Sequence, residues 1–398
     1  MVRCHRGGYN DFIEKSMKIF GVIAEYNPLH KGHLWQLQQI RHQFQPDVLL
    51  VVMSGNFVQR GDLAIVDKWQ RTEMALAAGV DLVVELPLYG SIQAANLFAL
   101  AAVQILQALA VTDLVFGTES PDLDYYGTAR KIRTLTTNSA AFSDYRNTYA
   151  TQYNQIIEQN LSLDMTKPNQ MLGLAYAQAA QTLKYPLALH ALPRTGAVDH
   201  DQANLQGEFA SASAIRQALL QQQPYQQALP ASSEQILQTS RIISWKDFFP
   251  FLKYQLLTTN LKQLGQIYQM NEGLQYKLQQ EILQVNNFPD FLYAIKSKRY
   301  TFARLRRVCL YTLLNLTTTQ MQQMWQHPYL HVLGFNRVGQ QYLHQIKKHA
   351  PWPLISNVNQ TLGNRTGLMA RAVQADQILN LLAVKEQNFG RHPIIWRK

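Results

Sequence analysis

Cysteine is almost missing from this chain. Its 398 residues hold two, Cys4 and Cys309, too few for a disulfide framework or a four-thiolate zinc site. A reducing cytoplasm is the compartment expected from that usage. Long apolar runs are missing too. The nearest, residues 97–111 (LFALAAVQILQALAV), is shorter than a membrane span, is broken by Gln104 and Gln107, and reads as a buried helix. Residues 1–16 lack the apolar core of a signal peptide and precede MKIFGVIAEY, which looks like a natural start, so they are expected to be an extension outside the fold. Two phosphate-binding fingerprints are absent. Without G-x-x-x-x-G-K-[ST] there is no P-loop, and without G-x-G-x-x-G after the first strand a dinucleotide oxidoreductase is disfavoured.

Acidic residues are scarce in one part only. From residue 226 onward, 20 Lys+Arg stand against 7 Asp+Glu, whereas residues 1–225 carry 17 against 19. The net charge of +11 therefore comes wholly from the C-terminal part. That asymmetry suits a polyanionic partner; a basic but merely solvated helical surface is the plainer alternative.

What is present is an alternation. Apolar, β-branched runs recur at 19–24, 48–53, 81–87, 113–117 and 186–192, separated by helical patterns at 32–44, 67–78, 94–110 and two or three more between 124 and 183. Strands without polar alternation, interleaved with helices, predict an α/β fold with a doubly wound, parallel five-stranded sheet. The Gln-, Pro- and Ser-rich stretch at 217–235 reads as a linker, with residues 17–222 as one domain, 223–235 as the connection and 236–398 as a basic, mainly α-helical second domain. Helical periodicity is read there at 246–268, 274–287, 300–316, 318–326 and 336–348, with a short closing strand around PLISNV.

The exit of the first strand carries the chemistry. In EYNPLHKGHL (25–34), Pro28 stiffens the turn, Gly32 clears space for a ligand, and His33 falls in the first turn of the next helix. Free N–H groups at a helix start favour anions. His30 and His33 can then face one phosphate from the same side and stabilise charge that grows on it during attack. Two other readings stay open. H-x-x-H could bind a metal, though no third His or Cys cluster stands nearby, or the pair could be purely structural.

HKGH after a first strand resembles the H-x-G-H signature of the nucleotidyltransferase superfamily, which includes the class I aminoacyl-tRNA synthetases. The late SASAIR (211–216) stands where that superfamily carries S-S-T-x-I-R, with Ser211 and Ser213 opening a helix and Arg216 reaching phosphate. Longer stretches narrow the likeness: GVIAEYNPLHKGHL, VMSGNFVQRGDLAIVDKWQRTEMALAAGVDLVVELP, VFGTES, PNQMLGLAY, LPRTGA, FASASAIR and VLGFNRVG, in order from Met17 to the C-terminus. Together they resemble the bacterial tRNA(Met) cytidine acetate ligase family. Leu29 and Lys31 replace the Phe and Asn of that family's NPFHNGH, and Asp62 replaces its usual Glu.

The resemblance implies an enzyme that uses ATP and free acetate to form acetyl-adenylate, then acetylates the wobble cytidine of elongator tRNA(Met). It implies ATP contacts from Ile23, Ala24, Glu25, Tyr26, Asn27, Pro28, Leu29, His30, Lys31, Gly32, His33 and Leu34, and from Gly117, Asn169, Arg194, Ser211, Ser213 and Arg216, with His30 and His33 catalytic. Mg2+ is expected to arrive with ATP, without a resident metal site and without an obligate protein partner. For tRNA, the expected cations are Arg60, Lys68 and Arg71 on the loop and helix after the second strand, then Lys296, Arg299, Arg304 and Arg307, then Arg337, Lys347 and Lys348. Lys68 and Arg71 could equally be a solvated helix face, with Asp67 as the N-cap. Tyr26 and Phe57 are candidates to stack on the target base. Glu25 and Glu85 end apolar strands, where an acid must work or pair. His42, His190 and His331 read as lone packed or exposed histidines. The competing functions are a small-metabolite nucleotidyltransferase and a non-catalytic RNA-binding protein with a vestigial nucleotide pocket.

Overall fold

The computed structural model describes residues 17–136, 149–185, 187–194 and 209–397. Residues 1–16, read above as an extension, lie outside them. The first half runs β1 (Ile19–Ala24), α1 (Lys31–Phe44), β2 (Val48–Ser54), α2 (Lys68–Ala77), β3 (Leu82–Leu86), α3 (Ala95–Ala108), β4 (Asp113–Thr118), α4 (Tyr125–Thr136), α5 (Tyr149–Leu161), α6 (Pro168–Ala180) and β5 (Ala188–Pro193). After α7 (Ala212–Leu220) and α8 (Ala231–Thr239) come α9 (Trp245–Thr258), α10 (Leu274–Glu281), α11 (Phe288–Ile295), α12 (Phe302–Leu313), α13 (Thr318–Gln326), β6 (Leu330–Phe335), α14 (Arg337–Ile346), β7 (Leu354–Ile355), α15 (Ala370–Gln377) and β8 (Ile394–Ile395).

The strands form one sheet in the order β5-β4-β1-β2-β3-β6-β7, with β8 paired to β6. The pairs β1–β2, β1–β4, β2–β3 and β4–β5 are all parallel, as their unbroken apolar sequences require. Alternate residues of β2 serve opposite faces. Val48, Leu50 and Val52 join a core with Phe98, Val103 and Leu106 of α3, while Leu49, Val51 and Met53 pack with Leu37 and Ile40 of α1 and Met74 of α2. The chain order reverses at β1, between β2 and β4, so the crevice beyond the C-terminal ends of β1 and β4 is the place for a ligand.

The sheet does not stop at five strands. β6, from the second half, pairs antiparallel to β3, and β7 and β8 pair parallel to β6. The first core continues into the helical part, through Leu252, Leu305 and Leu310. Two residues of the 223–235 stretch, Ala228 and Leu229, reach the second core. The stretch holds a 3-10 turn, Gln226–Ala228, and the start of α8.

Candidate active site

Local chemistry shapes the first loop. His30 is the N-cap of α1, and its Nδ1 accepts the Gly32 N–H at 3.1 Å. His33, three residues on, accepts the His30 N–H on its own Nδ1 at 3.3 Å, closing a reciprocal capping box. The two rings stack with centroids 3.7 Å apart and planes 28° apart. Because each Nδ1 accepts, each neutral ring carries its hydrogen on Nε2. Burial, with help from the Arg194 charge, pulls the His33 pKa down to about 3, so this ring is a neutral donor at physiological pH. Gly32 permits the arrangement: a Cβ there would lie 3.0 Å from His30 Cε1.

The neighbouring strand ends converge on the same crevice. Gly117 of β4 faces the Arg194 stem, where an added Cβ would make ordinary contact at 3.4 Å. Arg194 leaves β5 with its N–H on the Thr118 carbonyl at 3.2 Å, and its guanidinium lies 3.9 Å from Glu119 Oε1. Glu119 also accepts the Asn169 amide and the Gln170 N–H, the latter at 3.0 Å, which anchors the start of α6. Partial burial would raise the Glu119 pKa; the Asn169 hydrogen bond, those from backbone N–H groups and the Arg194 charge outweigh it, and the carboxyl sits below its usual range. Ser211 caps α7 by accepting the Ala214 N–H at 3.1 Å. Arg216, one turn in, donates to the Asn27 carbonyl at 2.7 Å and to Ser213 Oγ at 3.2 Å, which ties the late serine motif to the histidine loop.

Within the loop, side chains divide by exposure. Ile23, Ala24, Glu25, Lys31, Gly32, His33 and Leu34 are half-buried, whereas Tyr26, Asn27, Pro28 and Leu29 turn inward. Leu29 is fully enclosed in the core, so its replacement of an aromatic residue falls on a packing position. Asn27 Oδ1 accepts the Ile65 N–H at 2.8 Å, and Glu25 accepts the Gln59 N–H at 2.9 Å, so both tether the loop after β2. Burial raises the Glu25 pKa against the pull of the Gln59 N–H, Arg216 and Arg60.

Several expected RNA contacts are corrected here. Lys68 is 0% exposed, with Nζ 2.8 Å from Asp376 and 3.1 Å from Glu85. Burial alone would discharge it, but those two carboxylates outweigh burial and raise its pKa. His331 Nδ1 lies 2.5 Å from the same Glu85 and Asn388 binds both Lys68 and Asp376, completing an interior knot. Arg71 is also 0% exposed; it donates to the carbonyls of Glu25, Ser54, Gly55 and Val66 and so sets the shape of the β1 and β2 exits. Arg307 is buried on α12, where the loop after β2 lies so close that a Cβ on Gly61 would run into the backbone of Arg306 and Arg307. Tyr26 and Phe57 are buried and have no face to offer a base. Arg60, Arg299, Arg337, Lys347 and Lys348 are exposed, and Lys296 and Arg304 are half-buried.

Residues 17–392 match the model of a family described as HIGH Nucleotidyl Transferase. A tRNA(Met) cytidine acetate ligase from Latilactobacillus sakei subsp. sakei (strain 23K) is 46% identical over 383 residues, covering 96% of this chain and 98% of that protein. One from Lactobacillus gasseri is 41% identical over 383 residues, covering 95% and 99%. This chain belongs to the tRNA(Met) cytidine acetate ligase family of HIGH nucleotidyl transferases. The fold agrees: Thermotoga maritima TmcAL, in its apo form, superposes with a TM-score of 0.87 at 28% identity over 96% of this chain and 100% of that one. The same protein bound with alpha-thio ATP gives 0.84.

For a HIGH nucleotidyl transferase, the strand-end groups come from residues spread between Glu25 and Arg216. Sequence reasoning located most of them and missed Glu119. The signal was an acid directly after a strand end, in VFGTES, beside two candidate partners, Asn169 and Arg194. Among the described residues, no three His, Cys, Asp or Glu side chains gather to hold a metal, and no helix is long and apolar enough to cross a membrane.

Proposed function

We propose that this protein activates acetate with ATP and transfers the acetyl group to the exocyclic amine of the wobble cytidine of elongator tRNA(Met), in the cytoplasm. A carboxylate oxygen of acetate attacks the α-phosphorus, the Pα–O–Pβ link breaks, and pyrophosphate leaves with the electron pair. The cytidine N4 then attacks the acetyl carbonyl carbon, AMP departs, and one N4 proton is released. ATP is read at Ile23 to Leu34, Gly117, Asn169, Arg194, Ser211, Ser213 and Arg216. Mg2+ enters only as the counter-ion that ATP brings. Residues 17–222 are read as the catalytic part and 236–398 as the basic part that meets tRNA, through the exposed and half-buried cations named above.

The single observation that carries this reading is the stacked His30–His33 pair, whose capping box directs both Nε2 hydrogens away from the helix backbone. Charge develops on the α-phosphate oxygens as acetate attacks. Donors already oriented cost no reorganisation at that moment, and one such donor contributes about 3–4 kcal/mol, roughly a hundred- to a thousandfold in rate. The bound adenylate keeps acetate reactive until a free amine arrives. A wobble base already lies in a single-stranded loop, so presenting it costs less than extracting it from a duplex. Incubation with ATP, acetate and unmodified tRNA(Met), followed by digestion, should yield N4-acetylcytidine only when all three are present. Product that needs acetyl-CoA, or nucleotidyl transfer to a small phosphate ester without acetylation, would overturn the reading.

A further inference from the structure

We propose that the corner between α11 and α12 is a stacking platform for an unpaired nucleotide of the RNA, with Tyr293 as the ring on which the base rests. This builds on the reading of tRNA as the substrate. Helix α11 buries Phe288, Phe291, Leu292 and Ile295 and leaves Tyr293 73% exposed. That ring is held in place: it meets Phe302 of α12 edge to face, 5.3 Å between centroids and 72° between planes. Lys296 Nζ lies 5.5 Å from the Phe302 centroid, and Arg304 sits 4.4 Å over the ring of Tyr300. Lys298 and Arg299 are exposed between these two pairs.

Rings interleaved with cations are what a single strand needs, because the charges follow the backbone while the ring takes a base. The surrounding sequence favours a polyanion over a protein. Residues 291–375 contain 11 Lys+Arg and neither Asp nor Glu. A duplex keeps its bases inside and has no use for an open ring; a loop nucleotide has. The platform also lies near the crevice. Phe302 precedes Arg307 by about five residues, roughly 7–8 Å of helix, and Arg307 is where the loop after β2 touches α12. A nucleotide close to the reacting one therefore suits this position.

The experiment measures binding by fluorescence anisotropy for three probes: tRNA(Met) transcript, an unstructured oligoribonucleotide and a fully paired RNA duplex. Tyr293→Ala should weaken the first two by about 5- to 150-fold, the range for one stacked base. It should leave the duplex affinity and the salt slope unchanged, since no phosphate contact is lost. Tyr293→Phe should bind like the parent and Tyr293→Leu like the alanine variant. A matching thermal melt shows that the exposed position has not disturbed the fold. Equal affinity of parent and Tyr293→Ala for the single-stranded probes overturns the platform, as does an equal loss on the duplex. Failure of the parent protein to form acetylcytidine would sink the acetylation reading and leave these binding comparisons standing.

Discussion

Two helices carry cation pairs at the same spacing. Lys68 and Arg71 stand three apart on α2; Arg304 and Arg307 stand three apart on α12. In sequence both look like basic stripes on packed helices. In the structure, Lys68, Arg71 and Arg307 are interior, and Arg304 alone lies partly open, over Tyr300. The first pair lies beneath the exits of β1, β2 and β3 and works as internal scaffolding. Lys68 neutralises two buried carboxylates, and Arg71 collects the carbonyls that the strand exits leave unpaired. The second pair lies in a stretch of sequence, 291–375, that holds no acid of its own, and only its outward member can meet a phosphate. Spacing predicts which residues share a face; the direction of that face is decided by what packs there.

The largest consequence concerns Lys68. Lys68→Met leaves Glu85 and Asp376 buried without their cation, and breaking such a pair costs about 3–5 kcal/mol. Denaturant unfolding should show that loss, and restoring part of it by the double change Lys68→Met with Asp376→Asn would confirm the knot as the cause. Acid should attack the same place. Burial would raise the Glu85 pKa, but Lys68 and His331 hold it down to about 2. A carboxyl depressed in the folded state adds stability that is complete above its ordinary value near 4.5 and fades as pH falls toward about 2. Glu85→Gln should flatten the fall in stability across that window. A parent protein with constant stability there would contradict the assignment.

The open cations should behave oppositely. Arg299→Ala together with Arg304→Ala should change stability by no more than about 0.5 kcal/mol. Their effect should appear in tRNA binding, weakened alike for different sequences, with the slope against log salt reduced by about one per lost phosphate contact. If Lys68→Met also lowered that slope while the fold stayed intact, the division between buried and open cations would fail.

Much of the first half was legible because its signals are local. The runs at 19–24, 48–53 and 113–117 became β1, β2 and β4 within a residue at either end, since buried parallel strands need continuous apolar sequence. Asp67 and Ser211 proved to be N-caps, since their side chains reach only two or three residues ahead. β6 was not legible. LHVLGF is a short apolar run that could equally serve a buried helix, and its place beside β3 depends on contacts some 250 residues away in sequence, such as His331 with Glu85. The ionic knot was hidden for the same reason, its members being separated by as many as 320 positions. In the crevice, the histidine loop and Arg216 could be found by motif. Glu119 stood inside VFGTES and was passed over, because the groups it holds, Asn169 and Arg194, are distant in sequence.

The account turns on whether His33 acts on the α-phosphate. The direct measurement is acetate-dependent exchange of labelled pyrophosphate into ATP, without tRNA, for the parent, His33→Ala and His33→Asn, the last keeping an acceptor for the His30 N–H. Both variants should lose about a hundred- to a thousandfold in exchange rate while binding tRNA as before, and the parent rate should show no step near pH 6.5, because His33 is already neutral there. Undiminished exchange in His33→Ala, or recovery in His33→Asn to the parent rate, would show that the ring only caps a helix.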